Sequence, residues 1–194
     1  MMFSDPWLTR WLPLVVQSAQ GKPVLEIGCG HGDDTAVLVG AGLRVMAFDL
    51  SPIAVAAARI RVPSASIECR DVRDPFPEQA HQLGVVVASL SLHYFAWTET
   101  LALVQSIRSA LRPGGVLLCR LNSTEDRNFG AQGYPEIEPN YFMVNGGPKR
   151  FFDRTSVDAL FAEGWKALSV EHFVTRKYVK PKALWEAVFE REDA

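Results

Sequence analysis

The sequence predicts an α/β domain built on a largely parallel sheet. Three observations carry this. From Val24 to Leu121 short apolar segments alternate with helix-like ones, the order of a parallel sheet joined by right-handed crossovers. Leu83 to Leu90 is nearly all apolar and rich in valine, as a strand covered on both faces requires. The first strand runs into a glycine-rich turn, Gly28-Cys29-Gly30-His31-Gly32, and then into a helix. The length of 194 residues fits one domain. With 48% hydrophobic and 22% charged residues, the chain has a globular composition, which excludes a disordered, collagen-like or long coiled-coil protein.

Taken in order, Asp5-Pro6 offers an N-cap acceptor followed by a proline whose missing N–H costs nothing there. A helix is predicted from Trp7 to Gln20, stopped by Gly21. Val24 to Ile27 is a short apolar strand. A helix starts at Asp33 or Asp34 and runs to Val39, ending at Gly40 and Gly42. Leu43 to Phe48 returns to strand, and Ser51-Pro52 opens an alanine-rich helix through Arg61, closed by Pro63. Ile67 to Arg70 is a third strand and Leu83 to Leu90 a fourth. Thr98 to Leu111 is helical, with Leu101, Val104, Ile107 and Leu111 at three-to-four spacing. Pro113-Gly114-Gly115 turns sharply into a fifth strand, Val116 to Leu121.

The alternation breaks after Leu121. Residues 122–150 are polar and punctuated by glycine, proline and asparagine. A segment that long favours a lid or binding loop, or an ordinary insertion with a short helix. Thr155 and Asp158 are spaced as a capping box before Leu160 and Phe161, and Gly164 ends that helix. Leu168 to Tyr178 and Trp185 to Arg191, joined by a Lys180-Pro181-Lys182 turn, read as an antiparallel pair at the sheet edge, although Ala183 to Glu190 also has helix propensity. The expected organisation is one domain, 1–194, with a lid-like insertion at about 122–150.

The net charge of −2 supplies no basic excess for a nucleic-acid surface. Cys29, Cys69 and Cys119 are odd in number and far apart, which suits a reduced cytoplasm rather than a disulfide framework. No apolar run reaches membrane-spanning length, and Met1 to Trp7 lacks the basic-then-apolar pattern of a secretory signal. His31, His81, His93 and His172 are scattered without a second ligand at useful spacing, so no metal site is expected.

The glycine turn is the most informative segment. A dinucleotide fingerprint wants a glycine where this chain has Asp33. Asp33 and Asp34 set two negative charges at a helix start, the wrong electrostatics for a pyrophosphate. A positively charged ligand fits better, and Glu26 and these acids would attract an ammonium or sulfonium group; capping of nearby backbone N–H groups is the structural alternative for each. Asp49 closes the second strand, where an acid can accept both ribose hydroxyls or cap the next helix. Asp71 can accept from an adenine amino group, with Val72 packing on the ring.

This set resembles the class I S-adenosylmethionine-dependent methyltransferases. Glu26 to Gly32, including Gly28, Cys29 and Gly30, matches the family's first glycine motif around the methionine part. Asp49 matches the ribose acid, with Leu50 beside it against adenine, and Asp71-Val72 the adenine edge. Ala88-Ser89-Leu90 matches the strand end on the sulfonium side, with Ser89 facing the cofactor, and Leu111-Arg112-Pro113-Gly114-Gly115 the turn before the fifth strand. The resemblance implies a Rossmann-like, seven-stranded, mostly parallel sheet flanked by helices, its last strand antiparallel. It also implies S-adenosyl-L-methionine as cofactor and methyl transfer as the activity.

The methyl on a sulfonium is already activated, so the protein must chiefly align the acceptor and exclude water. The segment Ser89-Leu90-Ser91-Leu92-His93-Tyr94-Phe95 lacks the Asn-Pro-Pro-aromatic motif of enzymes acting on amino groups of bases or glutamine. It looks more like small-molecule methyltransferases, and the layout, with Lys149-Arg150-Phe151-Phe152, is closest to those of the tellurite- and thiopurine-resistance type. His93 is the candidate base, or else a structural residue packed with Tyr94. Tyr141 is the second catalytic candidate and, with Tyr134 and Phe142, would close over the acceptor pocket, which Arg120 and Asn122 face from the fifth strand. Phe151 and Phe152 read as core beneath the lid. Arg127, Lys149 and Arg150 either pair with an anionic acceptor or are solvated. The expected partner is a small-molecule acceptor. The alternatives are a methyltransferase-like cofactor-binding protein with a regulatory role, and a protein or RNA methyltransferase.

Overall fold

A computed structural model describes residues 6–193. A short 3-10 turn, Thr9–Trp11, leads into α1, Leu12–Ala19. The elements β1 (Val24–Ile27), α2 (Asp33–Gly40), β2 (Val45–Asp49), α3 (Pro52–Arg61), β3 (Ser66–Cys69), β4 (Leu83–Ser89), α4 (Trp97–Ala110) and β5 (Leu111–Asn122) follow. Then come β6 (Glu136–Glu138), β7 (Tyr141–Val144), β8 (Gly147–Arg150), α5 (Arg154–Leu160), β9 (Trp165–Thr175) and β10 (Lys182–Arg191). The main sheet has the order β3-β2-β1-β4-β5-β10-β9. Its first five strands are mutually parallel, and β10 runs antiparallel to both β5 and β9. This is the sheet the sequence predicts, with the last strand inserted beside β5 and β9 at the edge.

Side chains alternate across a strand, and here both faces are buried. Leu25, Ile27, Val86, Ala88, Leu117 and Cys119 face one core with Val104 and Ile107 of α4 and Val157 and Leu160 of α5. Val24, Val85, Val87, Val116, Leu118 and Val188 face a second core with Val15 of α1, Leu38 of α2 and Val55 and Ala58 of α3. Glu26 therefore shares the second face. No helix among the described residues is long and apolar enough to cross a membrane.

Four local readings change. The first predicted helix is split, because Pro13 sits at the start of α1 where a proline is tolerated and the preceding turn is 3-10; the Asp5 cap lies outside the described residues. The capping box of α5 is displaced by two residues: Asp153 accepts from Ser156 N at 2.8 Å while Ser156 Oγ accepts from Asp153 N at 2.9 Å. Asp158 pairs with Arg154 instead. The last hairpin starts its return strand at Lys182 rather than Trp185, and Ala183 to Glu190 is strand, because both neighbours, β5 and β9, supply ladder partners. The insertion carries a three-stranded antiparallel sheet rather than an irregular loop with a short helix. Its β7–β8 hairpin turns on Asn145-Gly146, both at positive φ (50° and 83°), as a two-residue type I′ connection demands.

The insertion is fastened to the core at its base. Arg150, with only 4% of its side chain exposed, donates to the carbonyls of Phe95 (3.1 Å) and Pro139 (3.3 Å) and to Glu138. Its guanidinium also lies over the Tyr141 and Trp97 rings. Glu138 accepts in turn from Trp97 N at 2.6 Å, and Arg150 N donates to the His93 carbonyl. Arg150 is thus a buried strut, not a solvated or ligand-facing cation. Phe151 and Phe152 are core, as expected.

Candidate active site

All five parallel strands end at one edge, and the chain reverses direction across the sheet between β1 and β4, where such folds open a crevice. The loop after β1 is bent toward β2 by two bonds, from Gly28 N and Cys29 N to the Phe48 carbonyl, at 2.8 and 3.0 Å. A side chain at Gly28 (φ +73°) would overlap Ser91. Gly30 (φ +52°) differs: nothing lies within 4 Å of where its Cβ would be. The loop therefore packs tightly at its start and presents bare backbone to open space at its middle.

Asp49 anchors that loop. Its Oδ2 accepts from Gly30 N and its Oδ1 from Ser51 N, both at 2.9 Å. The α3 cap is made by Ser51 Oγ, which accepts from Ala54 N, so Asp49 ties the glycine loop to the start of α3. Glu26 is buried and accepts from Thr35 Oγ1 at 2.6 Å. Burial pushes its carboxyl up to about 8, against the Thr35 bond, with help from Asp34, Asp33 and Asp49. Asp33 and Asp34 do not cap α2, whose N-cap is Gly32. Asp33 is held by Arg61 and by Lys177 (3.2 Å) of the β9–β10 turn. Asp34 accepts from the Trp7 indole at 3.0 Å. Chain segments from both ends thus cross over the start of α2.

The remaining cofactor candidates surround the same edge. Leu50 is 66% exposed beside Asp49. Cys29 is buried, and burial pushes its thiol up to about 12. Asp71 is chelated by Arg73, through Nε and Nη2 and through the Arg73 N–H, and those bonds hold its carboxyl below the usual range. Val72 lies partly buried against the core and lines an open cavity of about 680 Å³ between the 72–80 loop and α4. Ser89 Oγ accepts from Arg120 Nε at 2.8 Å.

The two expected catalytic side chains are placed otherwise than a free base and a pocket phenol. His93 is buried and its Nδ1 has no partner. Burial, then the charges of Lys182 and Lys149, push its ring down to about 3, so it is a neutral imidazole and a weak base. The Tyr141 hydroxyl is committed to the Tyr94 carbonyl at 3.0 Å. Tyr94 itself is exposed, and its ring packs against His93 with centroids 4.2 Å apart.

On the other side, sequence reasoning placed Arg120 at the end of the fifth strand but missed Lys182. Lys182, read as a turn residue, is buried and bonded to Asp126 at 3.1 Å. Arg120 lies 4.6 Å over the Trp7 ring and lines a cavity of about 490 Å³ with Trp7, Phe173, Leu184 and Thr175. A lysine and an aspartate 56 residues apart leave no local signal; only the β10 register brings them together.

Residues 24–115 match the family model described as a methyltransferase domain. An uncharacterized methyltransferase of Synechocystis sp. is 29% identical over 96 residues, covering 50% of this chain and 45% of that protein. The ubiquinone biosynthesis O-methyltransferase of Xanthomonas campestris is 32% identical over 109 residues, covering 54% of this chain and 45% of that one. The chain thus covers less than half the length of these curated relatives. Among solved structures, an S-adenosylmethionine-dependent methyltransferase from Clostridium acetobutylicum superposes with a TM-score of 0.76 at 14% identity, covering 98% of this chain and 93% of that one. Likeness at that identity shows a shared fold, the Rossmann-like methyltransferase sheet.

Proposed function

We propose that this chain is an S-adenosyl-L-methionine-dependent methyltransferase that transfers a methyl group to a small-molecule acceptor by in-line displacement. The observation that carries the reading is Asp49 clamped to Gly30 N at the crevice of a methyltransferase fold, with open space beside that glycine. The residues fit the cofactor. Glu26, with Asp33, Asp34 and Asp49 nearby, forms an acid set that favours a cationic ligand over a pyrophosphate. Gly28, Cys29 and Gly30 would hold the methionine part, Asp49 the ribose, Leu50, Asp71 and Val72 the adenine, and Ser89 the sulfonium side. When bound, the cofactor supplies an electrophilic methyl.

The chain's own part is to bind, orient and exclude water. His93 serves as a neutral wall beside the acceptor rather than as a base. Tyr141 supports the loop bearing Tyr94, whose exposed ring borders the crevice. The small-acceptor reading draws on the methyltransferase of ubiquinone biosynthesis among the relatives and on the absence of an Asn-Pro-Pro-aromatic motif after β4. The finer likeness to the tellurite- and thiopurine-resistance type rests on chain size, the central motifs and the Lys149-Arg150-Phe151-Phe152 segment. The lid role of residues 122–150 and the cytoplasmic setting belong to the same proposal.

The test is methyl labelling. The purified protein is incubated with methyl-labelled S-adenosylmethionine and a cell extract, which is then split into ultrafiltrate, protein and RNA. Label above the no-enzyme control should collect in the ultrafiltrate. Label confined to protein or RNA would replace the small acceptor with a macromolecular one.

A further inference from the structure

We infer that the β9–β10 turn, residues 176–181, is a strap over the crevice: the Lys177–Asp33 ion pair latches it shut, and it lifts to let S-adenosylmethionine in and S-adenosylhomocysteine out. This rests on the methyl-transfer reading and adds a gate to that site.

The strand register places the turn. Leu184 of β10 stands opposite Asn122, the last residue of β5, and Lys182 stands opposite Thr175. The residues between Thr175 and Lys182 therefore leave the sheet at its carboxyl edge, where the crevice opens. In the sheet order β10 and β1 are separated by β4 and β5, roughly 14 Å at ordinary strand spacing. Yet Lys177 Nζ lies 3.2 Å from Oδ2 of Asp33, the first residue of the helix that follows β1. The turn thus reaches back past the ends of β5 and β4 to the far rim of the crevice, just beyond the open backbone of Gly30.

The two sides of the turn are fastened unequally. On the insertion side Asn128 Nδ2 donates to the Pro181 carbonyl at 2.7 Å, and the Phe129 ring meets the Tyr178 ring edge-on with centroids 5.7 Å apart. Lys182, at the foot of the turn, lies over the Phe129 ring and is bonded to buried Asp126. On the α2 side the turn is held through the Lys177–Asp33 pair, with 52% of the Asp33 side chain exposed. An ion pair open to water is weak and is screened by salt. Arg61 also pairs with Asp33, so the carboxylate keeps a cation when Lys177 withdraws. Val179, in the middle of the turn, is fully exposed, so lifting it uncovers no apolar surface there. Firm at the insertion and lightly held at α2, the turn opens from one side. Shut, it helps keep water from the reacting methyl.

Stopped-flow binding of S-adenosylhomocysteine, followed by intrinsic tryptophan fluorescence, reads the gate. A latch that shuts the free and the loaded protein alike slows entry and exit by one factor. Lys177→Gln should therefore raise both rate constants about threefold and leave their ratio, the Kd, as it was. Lys177→Arg should keep the wild-type rates, and added salt should speed the wild type toward the Lys177→Gln rates. A second measurement needs no ligand: trypsin cleavage after Arg176 should quicken about threefold in Asp33→Asn, whose turn sequence is unaltered. Rate constants indifferent to Lys177→Gln, a rise in release alone, or cleavage indifferent to Asp33→Asn would overturn the inference. Failure to bind S-adenosylhomocysteine, with cleavage still quickened by Asp33→Asn, would instead overturn the methyl-transfer reading beneath it.

Discussion

Thr35 donates its hydroxyl to Glu26 across 2.6 Å, and both side chains are buried at the junction of β1 and α2. One neutral hydrogen bond does not offset the cost of burying a carboxylate among other acids, so the carboxyl rises from 4.5 to about 8. The folded protein then holds a proton that the unfolded chain has already released. Its stability should be greatest below the unfolded value and fall as pH rises toward about 8. Urea midpoints measured across that window should decline for the wild type and decline less for Glu26→Gln. The same variant should bind S-adenosylmethionine less well, because the Glu26 carboxyl can give up its held proton when a cationic ammonium arrives and an amide cannot. Parallel pH profiles for the two proteins would remove Glu26 from this account.

Asp49 bonds the glycine loop and the start of α3 with one carboxylate. Asp49→Ala removes charge-assisted bonds worth roughly 1.5–3 kcal/mol each to a bound ribose. S-Adenosylhomocysteine affinity should fall at least about tenfold, read by calorimetry, with the protein still folded by circular dichroism. An unchanged affinity would make Asp49 a loop brace only.

Gly30 separates fold from ligand. Gly30→Ala places a Cβ in open space at φ +52°, so thermal unfolding should show a loss of only about 1 kcal/mol. That same Cβ enters the crevice, and cofactor affinity should drop more than stability does. A variant that binds normally would move the cofactor away from the middle of the loop.

Arg150 is the fastening of the insertion. Arg150→Met takes the guanidinium from Glu138, which keeps only the Trp97 N–H, and from two backbone carbonyls, and removing one member of such a buried set costs about 3 kcal/mol. The urea midpoint should fall accordingly, and proteolysis should quicken within residues 122–150. A midpoint within error of wild type would show the insertion to be held by β7 and β8 packing alone.

Much of this was legible in the sequence where the signal is local. Leu83–Ser89 shows its burial on both faces in its composition, Ser51-Pro52 shows a helix start, and the order of strand, glycine turn and acid places Gly30 and Asp49 at the right edge. Some local signals were present but passed over: Pro13 inside the first predicted helix, and Asn145-Gly146, a strong hairpin turn. The rest is non-local. Lys182 meets Asp126, Arg10 meets Glu186 and Arg150 meets Phe95 only after the strands have paired. His93 looks like a base by type and position, and only its burial, which the sequence does not display, lowers its basicity.

The central claim is the cofactor, and calorimetric titration of the wild-type protein with S-adenosylmethionine, S-adenosylhomocysteine and NAD tests it most directly. The account predicts micromolar, one-to-one binding of the first two and none of NAD. Binding of NAD, or silence toward both sulfur ligands, would contradict it.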